Sequence, residues 1–118
     1  MKNQYNYGDI VMVNLPCAHT HVQGKLRPCI VLGNELALRY SPVITVLPLT
    51  GKVGKKMNLP CHVVIGPDET NNSLRKNSVV LAEQITTVPK EWIVDKCGCV
   101  ESSFMNMVIN AVKAQLIG

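Results

Sequence analysis

Apolar residues come in short blocks through the first hundred positions, and only the C-terminus changes period. Gly8-Asp9-Ile10-Val11-Met12-Val13-Asn14-Leu15 reads as a first strand, ended by Pro16, which cannot donate to a ladder. Residues 28–33 are apolar on both faces and predict a second strand closing at Gly33-Asn34. Val43-Ile44-Thr45-Val46-Leu47 is rich in β-branched residues and predicts a third, with Pro48 expected to stop the regular ladder. His62-Val63-Val64-Ile65 is a short fourth strand. Ser78 to Ala82 and Gln84 to Val88 form a fifth, continuous or bent near Glu83. Ile93 to Val100 adds an edge strand after a brief helical turn opened by Pro89. Residues 17–26, 35–42 and 66–77 are left as loops.

From Phe104 the period becomes helical. Phe104, Val108, Val112 and Leu116 recur at every fourth position, with Met105 and Ile109 beside them and Ser102 or Ser103 available as a cap. The expected architecture is α+β: a small, mostly antiparallel, barrel-like sheet with a C-terminal amphipathic helix. Residues 1–118 carry no linker or repeat, so one domain is expected.

Composition changes this picture little. The chain is 47% hydrophobic and 17% charged, a globular balance. No apolar run approaches the ~18 residues of a membrane span. The polar N-terminus lacks the apolar core of a signal peptide, so a cytoplasmic protein is expected. Charge is more informative. Residues 1–60 hold seven basic against two acidic side chains, whereas residues 61–118 hold five against six. An excess concentrated in the first half suits a polyanionic partner.

The candidate chemistry lies at two strand ends. In Gly24-Lys25-Leu26-Arg27-Pro28-Cys29, a polar loop runs into an arginine that immediately precedes an apolar strand. Its planar charged fork suits phosphate or carboxylate. Pro48-Leu49-Thr50-Gly51 closes another apolar strand with a hydroxyl and a glycine. If the two ends meet, they form a phosphate-handling site. By position alone, a surface arginine paired with a carboxylate and an ordinary strand-end threonine are the plainer readings. Cys17, His19 and His21 alternate, and Cys97-Gly98-Cys99 is a C-x-C pair, but neither has the four-ligand spacing of a zinc site, and no metal or cofactor is expected.

Gly8-Asp9-Ile10-Val11, Arg27-Pro28-Cys29-Ile30-Val31-Leu32, Ser41-Pro42 through Pro48-Leu49-Thr50, and Ser78-Val79-Val80-Leu81-Ala82-Glu83-Gln84-Ile85 occur in that order. The ordered set resembles the MazF/PemK toxins of type II toxin–antitoxin systems, over residues 7–116. The resemblance implies an SH3-like or gyrase-toxin-like barrel, a homodimer, and metal-independent, sequence-specific cleavage of single-stranded RNA to 2′,3′-cyclic phosphate and 5′-OH ends. It implies a cognate antitoxin that blocks the RNA site. It carries the catalytic pair onto Arg27 and Thr50. A non-cutting toxin of the gyrase-poisoning kind, or an RNA-binding barrel, is the alternative.

Around that pair, Gln23, Lys25, Tyr40, Gly51, Lys52, Lys55, Lys56, Gln84 and Thr87 are candidate RNA contacts, Tyr40 by stacking a base and the lysines by guiding the backbone. His19 and His21 are candidates for proton transfer because histidine titrates near neutrality. Two departures from the family stand out. The loop between Asp9 and Glu35 has no acidic residue, and Thr86 stands where relatives often carry a basic one. Glu83 is expected to be buried in the sheet.

Overall fold

A computed structural model describes residues 4–15, 25–51 and 59–118. Its strands are β1 (Asp9–Leu15), β2 (Lys25–Leu32), β3 (Val43–Thr50), β4 (His62–Ile65), β5 (Ser78–Leu81), β6 (Thr86–Pro89) and β7 (Ile93–Cys99). Its helices are α1 (Glu35–Tyr40) and α2 (Ser102–Ile117). Every strand pairing is antiparallel, in the order β4-β5-β3-β2-β1-β7, with β6 also on β3. The α+β expectation holds. The sheet is open, since β4 and β7 each pair with a single neighbour.

The strands are apolar on both faces because two cores lie back to back across the sheet. Ile10, Ile30 and Leu47 enter one cluster, which α2 completes with Met105, Val108, Ala111 and Val112. Their sequence neighbours Val11, Val31 and Val46 enter the other, together with Tyr5 and Leu38 of α1. Alternation sends successive side chains to opposite faces, so a strand serving two cores must be apolar throughout. Each fully buried Val or Ile contributes about 1.5–3 kcal/mol by leaving water.

The structure corrects several expectations. Residues 35–40 are not loop but helix α1. Asn34 caps it, its Oδ1 accepting the Ala37 N–H at 2.8 Å, and Glu35 and Arg39 pair one turn apart at 3.5 Å. Pro48 does not end its strand. It is the last β3 residue opposite β2, and Leu49 and Thr50 pair instead with Val80 and Val79 of β5. The strand changes partner at the residue that lacks an N–H to donate. β2 begins at Lys25, so Arg27 lies within the ladder, opposite Val13. Ser102 and Ser103 fall inside the first turn of α2. Glu101 holds the cap position and makes no side-chain cap bond. Of the predicted apolar face of α2, Met105, Val108 and Val112 are buried and Phe104 and Ile109 pack against the same cluster; Ala111 joins them, while Leu116 is 61% exposed.

The bend predicted near Glu83 is present. β5 and β6 both run along β3, separated by a 3₁₀ turn over Ala82–Gln84. Glu83 itself is not buried in the sheet. The turn lifts it out of the ladder, where its carboxylate meets His62.

Candidate active site

Arg27 and Thr50 are brought to the same end of neighbouring strands. The β2–β3 ladder pairs Leu32 with Thr45 and Cys29 with Pro48. Arg27 lies two residues before Cys29 and Thr50 two residues after Pro48, so both stand at the end where β3 leaves β2 for β5. Side chains two apart share a face, so both lie on the side of Cys29, Val31 and Val46, at the rim of the second core. The ladder beneath them is dry, with Cys29, Val31 and Val46 all fully buried. Arg27 and Thr50 are half-exposed above it. A charged fork and a hydroxyl thus stand on rigid backbone over an apolar floor. Burial pushes the Cys29 thiol up to about 12, against the opposing charge of Arg27, so Cys29 is floor and not nucleophile.

The remaining candidates divide by position. Gly51 follows Thr50, is exposed, and has open space where a side chain would stand. Lys25 opens β2 opposite Leu15, two residues before Arg27. Gln84 closes the 3₁₀ turn between β5 and β6. These strands pair with Thr50 and Val46 respectively, so the turn runs beside Leu47–Leu49. Thr87 lies farther along β3, its hydroxyl 3.2 Å from that of Thr45. Tyr40 ends α1, 74% exposed, beside a cavity of about 640 Å³ reached also by Tyr5, Arg39 and Lys90. It precedes β3 whereas Thr50 ends it, and eight residues of strand span about 23 Å. Tyr40 is therefore not brought to Arg27 within one protomer. His19, His21, Gln23, Lys52, Lys55 and Lys56 lie outside the described residues.

Sequence reasoning missed a second polar cluster. His62 of β4 is buried, and its Nε2 lies 2.8 and 2.9 Å from the two carboxylate oxygens of Glu83. Cys61 adds its thiol to the same carboxylate. Desolvation pushes Glu83 upward, but hydrogen bonds from His62 and the backbone, the His62 charge and the Cys61 thiol outweigh it and hold the carboxyl below its ordinary value. Burial, then the Glu83 charge and hydrogen bond, push the Cys61 thiol up. Twenty-one residues separate His62 from Glu83, so spacing gave no sign of the pair.

The ordered motifs, the antiparallel sheet and the terminal helix are matched together by one family. A family model of the PemK-like, MazF-like toxins of type II toxin–antitoxin systems fits residues 6–116. The chain belongs to this toxin family. One relative in it, Endoribonuclease MazF of Staphylococcus saprophyticus subsp. saprophyticus, is 32% identical over 109 residues, 92% of this chain and 88% of its own. Among solved structures, MazF of Deinococcus radiodurans matches with a TM-score of 0.76 at 17% identity, covering 98% of each chain. An endoribonuclease from a mycobacterial species matches at 0.74 and 22%, covering 97% of this chain and 92% of that one. A mycobacterial endoribonuclease bound to its cognate antitoxin matches at 0.72 and 22%, covering 98% and 95%. At these identities the structural likeness establishes the toxin fold. No described helix is long and apolar enough to cross a membrane.

Proposed function

We propose that this toxin-family chain is a sequence-specific endoribonuclease acting on single-stranded RNA in the cytoplasm, as a homodimer held in check by a cognate antitoxin. The observation that supports the reading is the β2–β3 register, with Cys29 opposite Pro48, which brings Arg27 and Thr50 to the same end of neighbouring strands. In the reaction, a ribose 2′-oxygen attacks the neighbouring phosphorus. The new O2′–P bond forms as the P–O5′ bond breaks, leaving a 2′,3′-cyclic phosphate on one product and a 5′-OH on the other. The 2′-OH gives up a proton and the departing O5′ takes one up. Negative charge grows on the non-bridging oxygens. The Arg27 guanidinium neutralises it, and the Thr50 hydroxyl donates to the same phosphate. A fixed donor of this kind contributes about 10²–10³ in rate.

A guanidinium is a poor base, so the protons move elsewhere. Histidine is the side chain suited to that transfer near neutral pH, and His19 and His21 are assigned it. Gln23, Lys25, Gly51, Lys52, Lys55, Lys56 and Gln84 belong to segments that lead into or flank this strand end, and they hold the strand of RNA. Thr87 and Tyr40 serve nucleotides progressively farther from the scissile phosphate, Tyr40 by stacking.

The test is cleavage of a long mixed-sequence RNA by the purified protein in excess EDTA, with Arg27→Ala alongside and the new ends mapped. Discrete cuts bearing 5′-OH ends, lost in the variant, support the assignment. RNA bound by a folded protein but left intact overturns it in favour of a non-cutting barrel.

A further inference from the structure

Cys61, His62 and Glu83 are drawn together from two elements. Cys61 is the turn residue before β4, His62 opens β4, and Glu83 sits on the 3₁₀ turn Ala82–Gln84 beyond β5. One thiol sulfur, one imidazole nitrogen and one carboxylate oxygen all lie within 4.8 Å of one another. We infer that these three residues bind a zinc ion that ties β4 to the turn over Ala82–Gln84.

The donor set selects the metal. A thiolate with an imidazole and a carboxylate suits zinc and disfavours magnesium or calcium, which take oxygen ligands. Geometry agrees. Zinc bonds of about 2.0–2.3 Å in a tetrahedron place donor atoms about 3.3–3.7 Å apart. The His62–Glu83 contacts at 2.8 and 2.9 Å need to open slightly, and the sulfur needs to swing in. Cys61 lies in the turn before the strand, whereas His62 is buried. Both the thiol and the imidazole already converge on one carboxylate, the point where a cation would be shared. On binding, Cys61 gives up its thiol proton and coordinates through Sγ. His62 coordinates through Nε2 as the neutral imidazole, with a proton on Nδ1. Glu83 is already ionised. One thiolate and one carboxylate then balance the dication. Glu83, with its side chain 31% exposed, leaves an approach from solvent and a fourth position for water.

The cluster is separate from the strand end of Arg27 and Thr50. β5 lies between β3 and β4, so His62 is two strands, about 10 Å, from the strand of Thr50. The inference therefore stands apart from the proposed cleavage and is read without RNA.

The reduced, chelator-stripped protein is titrated with Zn²⁺, and in parallel with Co²⁺ as a spectroscopic probe. One equivalent of Zn²⁺ that raises the melting temperature is expected, together with a thiolate-to-cobalt charge-transfer band. Affinity should fall more than about tenfold in Cys61→Ser and in Glu83→Gln. It should be kept in the double variant Cys97→Ser/Cys99→Ser and in Cys17→Ser, which remove the other thiols able to compete. Glu83 lies on an exposed turn, so its variant serves where Cys61→Ser fails to fold. Absence of stoichiometric binding, a charge-transfer band that persists in Cys61→Ser, or unchanged affinity in Glu83→Gln overturns the inference.

Discussion

Asp9 is a buried carboxylate whose partners are unequal. Its side chain is 6% exposed. Oδ2 accepts the Asn6 backbone N–H at 2.7 Å and lies 3.1 Å from Lys96 Nζ on β7. The Asp9 N–H in turn donates to the Asn6 carbonyl at 3.0 Å, closing a four-residue turn. That turn presents Gly8, whose N–H donates to Val31 and whose carbonyl accepts from Val100, both at 2.8 Å. Asp9 thus secures the junction of β1, β2 and the approach to α2. The backbone bond to a buried charge is worth about 1.5–3 kcal/mol. The Lys96 pair, with the ammonium 46% exposed, is screened by solvent and worth about 0.2–1 kcal/mol. Asp9→Ala should therefore cost about 2–4 kcal/mol and Lys96→Met about 1 kcal/mol or less. The double variant should show coupling no larger than the Lys96 effect. Urea unfolding followed by circular dichroism, with matched m-values, gives all three numbers. If Lys96→Met costs as much as Asp9→Ala, the ion pair and not the turn holds this junction, and the reasoning fails.

Three further outcomes are expected. Gly8 sits at φ +90°, so Gly8→Ala should cost about 1–2 kcal/mol from backbone strain, because the new methyl would make only ordinary contacts, with the Met105 side chain at 3.6 Å and the Val100 carbonyl oxygen at 3.8 Å; a melting curve checks it. Between pH 9 and 12 the unfolded chain loses the Cys29 proton while the fold keeps it, so stability should fall with rising pH by up to about 1.4 kcal/mol per unit. Cys29→Val should flatten that slope in urea midpoints, and native Cys29 should resist iodoacetamide at pH 8 while Cys99, exposed, is labelled. Thr50→Val should slow RNA cleavage by about 10²-fold when rates are compared per folded molecule; equal rates would remove Thr50 from the phosphate.

The strands were legible because blocks such as Val43–Leu47 combine β-branching with burial on both faces. That Arg27 and Thr50 would stand at one end of neighbouring strands was legible because one opens and the other closes an apolar block that has to pair. What escaped the sequence has identifiable causes. Helix α1 is six residues long, too short to show a period, and its only signal was Asn34 followed by Glu35 and Arg39 one turn apart. Pro48 looked like a terminator because proline breaks a ladder where its N–H is needed. Here the strand exchanges β2 for β5 at that residue. Glu83 looked buried because it lies among sheet-forming residues, and a three-residue 3₁₀ turn reverses its exposure. The contact of His62 with Glu83 depends on how β4 and β5 pair, which no local spacing encodes.

The threefold pairing of β3 has a consequence for the timing of synthesis. Its β2 partner is made before it, but Val79, which pairs with Thr50, is made 29 residues later. At about 5–20 residues per second, Thr50 waits roughly 1.5–6 seconds for the strand that fixes it. β6, which holds the other half of β3, follows β5. A nascent chain stopped inside that interval has Arg27 and the end of β3 but no strand to hold Thr50 in place. The proposed site is therefore completed only after β5 has been made, a delay written into strand order.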